Sequence, residues 1–99
     1  MNTLRRTDEF MRWFSKLKDN PGKARIAARL KLATMGNFGD HKGVGHGIME
    51  MRIHTGPGYR VYYAQEDNVV YVLLIGGDKS SQDKDIKKAC ELWQAIKEG

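Results

Sequence analysis

The spacing of apolar residues along the chain changes from helical to alternating and back to helical. Phe10, Trp13, Phe14 and Leu17 recur at i, i+3, i+4 and i+7, which predicts an amphipathic helix capped by Thr7 and carrying Asp8 and Glu9 in its first turn. A short edge strand over Asn2 to Arg6 precedes it. Asp19-Asn20-Pro21-Gly22 then interrupts the pattern, with Asn20 as cap and Pro21 as first helical residue. The second helix, about Pro21 to Met35, gathers Ile26, Leu30 and Ala33 on one face, and its closeness to the first predicts an antiparallel hairpin. Gly36 to Gly47 holds too many glycines for a regular element and is read as a loop, either ordered for function or mobile. From Ile48 the period is two: Met49, Met51 and Ile53 alternate with Glu50, Arg52 and His54. Thr55-Gly56-Pro57-Gly58 turns the chain into a strand from Tyr59, and Glu66-Asp67-Asn68 turns it again into the apolar run Val69 to Ile75, fit for the centre of a sheet. Ser80-Ser81-Gln82-Asp83 opens a last helix with a core stripe of Ile86, Ala89, Cys90, Trp93 and Ile96. The expected fold is α+β, one domain over residues 1–99: strand, two helices, a three-stranded antiparallel meander and a C-terminal helix.

Length and charge narrow this picture. Ninety-nine residues predict one modest core. Seventeen Lys and Arg against twelve Asp and Glu leave +5, an excess that suits a nucleic acid or an acidic protein partner. The single Cys90 has no intramolecular disulfide partner and lies at an apolar helix position, which predicts a reduced core thiol and a cytoplasmic protein. No secretory signal and no membrane-spanning window is read, so no membrane association is expected.

The candidate chemistry gathers at one end of the meander. Glu50, Arg52, His54, Arg60 and Tyr62 fall on its polar face, and the chain turning back through the apolar run into Gly76-Gly77-Asp78 brings Lys79 to the same end of the sheet as Arg60. Two cations held by rigid strands, with Tyr62 beside the first, suit a phosphodiester. The plainer reading of Glu50 is a cross-strand ion pair with an arginine. Lys79 precedes a helix start, where backbone amides favour anions, with Asp78 and Gln82 placed to orient it or, for Asp78, to cap the helix. His41 and His46 in the glycine-rich segment are candidate proton-transfer groups. Lys42, Arg25, Arg29, His54 and Gln82 are candidate RNA contacts. The three histidines have no Cys or carboxylate cluster at ligand spacing, so no metal is expected. The glycine segment lacks the phosphate-loop pattern, no serine or cysteine sits in a nucleophile elbow, and no cofactor is implied.

Gly36-Asn37-Phe38-Gly39-Asp40, Glu50-Met51-Arg52-Ile53, Gly56-Pro57-Gly58-Tyr59-Arg60-Val61-Tyr62-Tyr63 and Gly76-Gly77-Asp78-Lys79-Ser80-Ser81-Gln82, in this order, closely resemble the RelE/ParE superfamily of toxins. More narrowly they resemble its HigB-like "addiction module killer protein" branch of phage-related toxins. The resemblance implies a curved antiparallel sheet with a helical hairpin on one side. It implies the toxin of a type II toxin–antitoxin module that cleaves mRNA without metal, often on the ribosome, and is neutralised by a cognate helix-turn-helix antitoxin. In such RNases the ribose 2′-hydroxyl attacks its own phosphate while cations stabilise the transition state. Arg60 matches the arginine after Gly-Tyr in these proteins, and Lys79 falls where a second basic residue is usual. Glu50 and Arg52 stand where some members carry two lysines, with Arg52 as a further catalytic cation, and Asp85 and Ile86 stand near where some carry an aromatic acid-base residue. The superfamily also contains ParE-type inhibitors that bind DNA gyrase without cleaving, and a member reduced to antitoxin binding is a third reading.

Overall fold

The computed structural model describes residues 1–99 and holds five strands and three helices. They are β1 (Thr3–Arg6), α1 (Asp8–Lys16), α2 (Asn20–Thr34), β2 (His41–Gly45), β3 (Ile48–Ile53), β4 (Tyr59–Gln65), β5 (Val70–Asp78) and α3 (Gln82–Glu98). A 3₁₀ turn, Lys79–Ser81, joins β5 to α3. The sheet order is β1-β5-β4-β3-β2. β1 runs parallel to β5 and every other pair is antiparallel, so the sheet is mixed.

The glycine-rich segment corrects the expectation that it contains no regular element. His41 pairs with Met51, Lys42 with Glu50 and Gly43 with Met49, and a register shift at Gly43/Gly45 marks an irregularity before the turn. Gly45, His46 and Gly47 all take positive φ there, 97°, 56° and 78°, which two glycines flanking one histidine permit. β2 is an exposed edge strand with one half-buried side chain, Val44, so no apolar alternation betrays it in the sequence.

The caps follow local chemistry. Thr7 Oγ1 accepts from the Phe10 amide at 3.0 Å, as expected for α1. For α2 the cap is Asp19 rather than Asn20: its carboxylate accepts from the Gly22 amide at 3.0 Å, and Asn20 is the first helical residue. Asp78 caps the 3₁₀ turn by accepting from the Ser80 amide at 2.8 Å.

Both faces of the sheet are covered, which replaces the single core by two clusters. On one face Phe10, Ile26, Leu30 and Ala33 of α1 and α2 meet Met51, Ile53, Val61, Tyr63 and Leu73. On the other, Ala89 and Trp93 of α3 meet Ile48, Tyr62, Ala64, Val72 and Leu74. Burial of each large apolar side chain stabilises the fold by about 1.5–3 kcal/mol, so α3 is an essential layer. The β4–β5 ladder shifts register between Tyr62 and Tyr63, a bulge that lets Tyr62 and Leu74 both serve the α3 side. The expected polar face of the meander is therefore largely roofed by α3.

Candidate functional site

The β3–β4 register sets Glu50 opposite Tyr62 and Arg52 opposite Arg60, so these four share the α3 face. Glu50 and Tyr62 have no solvent exposure, and Arg60 keeps only 8%. This corrects the reading of Tyr62 and Arg60 as outward-facing: α3 begins above them. A buried carboxylate must be compensated, and Glu50 Oε2 accepts from the Tyr62 hydroxyl at 3.1 Å and from the Gln82 amide at 2.8 Å. Arg60 Nε lies 3.9 Å from the same oxygen, an ion pair but too long for a hydrogen bond. Burial, followed by the Glu50 charge, pushes the Tyr62 hydroxyl well above the ordinary tyrosine range, which keeps it a neutral donor to Glu50.

The Arg60 side chain makes no hydrogen bond within the chain, although its Nε and Nη1 are buried. Such donors are costly to leave unpaired, and functional sites are a common reason for them. Arg60 also borders a cleft of about 470 Å³ lined by His54, Thr55, Gly56, Pro57, Gly58 and Lys79, with no hydrophobic side chain among them. A Cβ on Gly58 would lie 3.5 Å from the Lys79 Cβ and 3.8 Å from Arg60 Nη1, so the turn glycine brings both cations to one place. Gly58 takes φ 80°, which disfavours any other residue there. The turn is tethered from below: the Tyr59 hydroxyl donates to Asp19 Oδ2 at 2.8 Å, fixing the start of β4 on the N-terminus of α2. The Gly22 amide and then the Tyr59 hydroxyl hold the Asp19 carboxyl below the usual carboxylate range.

The chain is 52% identical over 93 residues to an uncharacterized protein of Haemophilus influenzae, and the match covers 94% of each chain. The two proteins belong to one family. No protein-family model matches the chain. No solved structure matches it either. No helix is long and apolar enough to cross a membrane.

Of the sequence-predicted residues, the fold gathers Arg60, Lys79 and His54 around the cleft, with Tyr62 and Gln82 supporting Glu50 behind it. Arg52 lies beside them but is engaged: its Nη2 donates to Asp40 Oδ1 at 3.0 Å. Arg29 is committed elsewhere, donating to the carbonyls of Arg52, Phe38 and Asp40 at 2.7, 3.0 and 3.3 Å and so lashing the segment before β2 to β3. Arg25 is exposed on α2, on the far side of the sheet from α3. His41 pairs with Met51 and therefore shares the α1/α2 face, its ring 6.0 Å from that of Phe38. Lys42 is exposed opposite Glu50. His46 sits in the β2–β3 turn, at the opposite end of β3 from Arg60, near Cys90, Trp93 and Gln94.

Two acids carry contacts that the sequence did not assign to them. Asp40 joins Arg52 to His54. Asp85, in the first turn of α3, is 6% exposed and accepts from Ser81 Oγ at 2.5 Å. The clue to Asp85 was Gly77: a side chain there would overlap the carboxylate, so the glycine makes its room. Burial raises the Asp85 carboxyl above its ordinary value, only partly offset by Ser81. A raised folded value means that the folded state holds the proton more tightly. The associated stability is fully present at acid pH and is lost as pH rises through the folded value. Asp85→Asn, which keeps an oxygen for Ser81, is therefore expected to unfold at a higher temperature than the parent at pH 7. The difference should vanish at acid pH in paired thermal melts.

Proposed function

We propose that this protein is a RelE/ParE-type toxin of the HigB-like branch, with the corresponding toxin fold, and acts in the cytoplasm as a metal-independent endoribonuclease on mRNA, on the ribosome or free of it. One observation carries the reading: the Arg60 guanidinium, its buried Nε and Nη1 unpaired, shares with the exposed Lys79 a cleft that no large apolar side chain lines. A phosphodiester is the ligand that such a pair suits, because its oxygens accept from the planar fork while the ammonium supplies a second charge. In cleavage the 2′-hydroxyl oxygen attacks phosphorus and the 5′-oxygen departs. The extra negative charge that gathers on the phosphoryl oxygens would be held by Arg60 and Lys79, groups already oriented by strand and turn. Glu50, fixed by Tyr62 and Gln82, would keep Arg60 aimed at the cleft. A helix-turn-helix antitoxin would neutralise the protein by laying acidic side chains over the same cations.

Primer extension on a reporter mRNA after brief induction tests this. New 5′ ends are expected in cells, and with purified RNA in the presence of EDTA or only when ribosomes are added. No new ends in any setting, with inhibition of gyrase supercoiling instead, would replace the nuclease reading by the gyrase-binding one.

A further inference from the structure

The nuclease reading supplies cations but no group to move a proton, and the residues around Asp40 fill that gap. His54 Nε2 lies 2.5 Å from Asp40 Oδ2, and the other oxygen of Asp40 accepts from Arg52. The hydrogen bond from His54 is the main cause holding the Asp40 carboxyl below its ordinary range, so at neutral pH Asp40 is an anion and the proton of this bond resides on Nε2. A neutral imidazole with Nε2–H so engaged has its lone pair on Nδ1. That nitrogen has no hydrogen-bond partner in the chain, the side chain is 68% exposed, and His54 lines the same cleft as Arg60 and Lys79. The charged groups facing it are Asp40 from the segment before β2, Arg52 from β3, Arg60 from β4 and Lys79 from the 3₁₀ turn. Arg29 of α2 fixes the Asp40 backbone.

We infer that His54 is the proton-transfer residue of this site and Asp40 the residue that positions it, an assignment that rests on the nuclease reading. The 2′-hydroxyl proton passes to Nδ1 as the O2′–P bond forms and the P–O5′ bond breaks. The departing 5′-oxygen takes a proton from water, and the imidazolium then returns its proton to water. The products are a 2′,3′-cyclic phosphate and a 5′-hydroxyl. Arg52 completes the arrangement by holding Asp40 from its second oxygen, so the imidazole is tied through the carboxylate to the sheet. His41 and His46 lack both requirements, since neither bonds a carboxylate and neither lines this cleft.

The test is single-turnover cleavage of a short RNA, with ribosomes if the parent needs them, as a function of pH. His54→Ala is expected to lower the rate about 10²–10⁴-fold with RNA affinity retained, and to lose the acid limb of the parent's pH profile. Asp40→Asn should keep RNA binding and slow the single-turnover rate at saturating RNA by a smaller factor, whereas a merely structural ion pair would alter the melting temperature and leave that rate in place. A parent that cleaves and a folded His54→Ala that cleaves equally well with the same profile would overturn the assignment and leave the nuclease standing. A parent that does not cleave would overturn both.

Discussion

Arg60→Ala is expected to abolish growth inhibition and to slow mRNA cleavage by more than about 100-fold, a loss on the order of 3 kcal/mol of transition-state stabilisation. The substitution also has a structural cost, because Arg60 is buried and is the only cation within ion-pair distance of the Glu50 carboxylate. Removing it leaves a buried anion with two neutral donors, which costs on the order of 3 kcal/mol. Two further variants separate the effects. Arg60→Lys keeps the charge and loses the fork, so it should fold well and retain only part of the activity. Combining Arg60→Ala with Glu50→Gln removes the stranded charge, so it should recover stability over Arg60→Ala alone while remaining inactive. Full toxicity in that folded double variant would exclude Arg60 from the chemistry.

Gly76→Ala and Gly77→Ala are each expected to lower the unfolding free energy by about 1–3 kcal/mol, through crowding on opposite faces of one strand. A methyl on Gly76 would overlap the Trp13 ring of α1, while one on Gly77 would overlap the Asp85 carboxylate of α3. The second change should also lift the first turn of α3, which carries Gln82 and thus a donor to Glu50. Urea unfolding would show both losses, and growth assays at matched folded protein should show reduced toxicity for Gly77→Ala alone. An undisturbed midpoint for Gly77→Ala would mean that α3 does not seat on β5 as described.

The sequence displays whatever has a period. The stripes through Phe10 to Leu17 and Ile86 to Ile96 and the alternation from Ile48 to Ile53 each corresponded to an observed element. β2 was hidden because His41-Lys42-Gly43-Val44-Gly45 has no apolar alternation, and its pairing is dictated by β3 rather than by its own side chains. The roofing of Arg60 and Tyr62 was hidden for a different reason. Alternation identifies two faces of a strand but not what covers each one, and the stripe on α3 had to be matched to Ile48, Ala64, Val72 and Leu74 before the second cluster was visible. Arg60 and Lys79 were legible as neighbours because β4 and β5 are consecutive antiparallel strands, which sets Arg60 beside Gly77 and Tyr59 beside Asp78. The Asp40–His54 pair spans fourteen residues, and no local pattern encodes a contact across an edge strand.

The parallel pairing of Thr3 with Val70 and Arg6 with Leu73 has a consequence for synthesis. β1 is made before β5 and must wait for it, and α3, the helix that covers Glu50, is made after both. Closing so distant a pair is slow and cannot begin on a partial chain. On the nuclease reading, a nascent chain that has not yet made β5 and α3 has its cations unassembled and would not cleave the message from which it is being read.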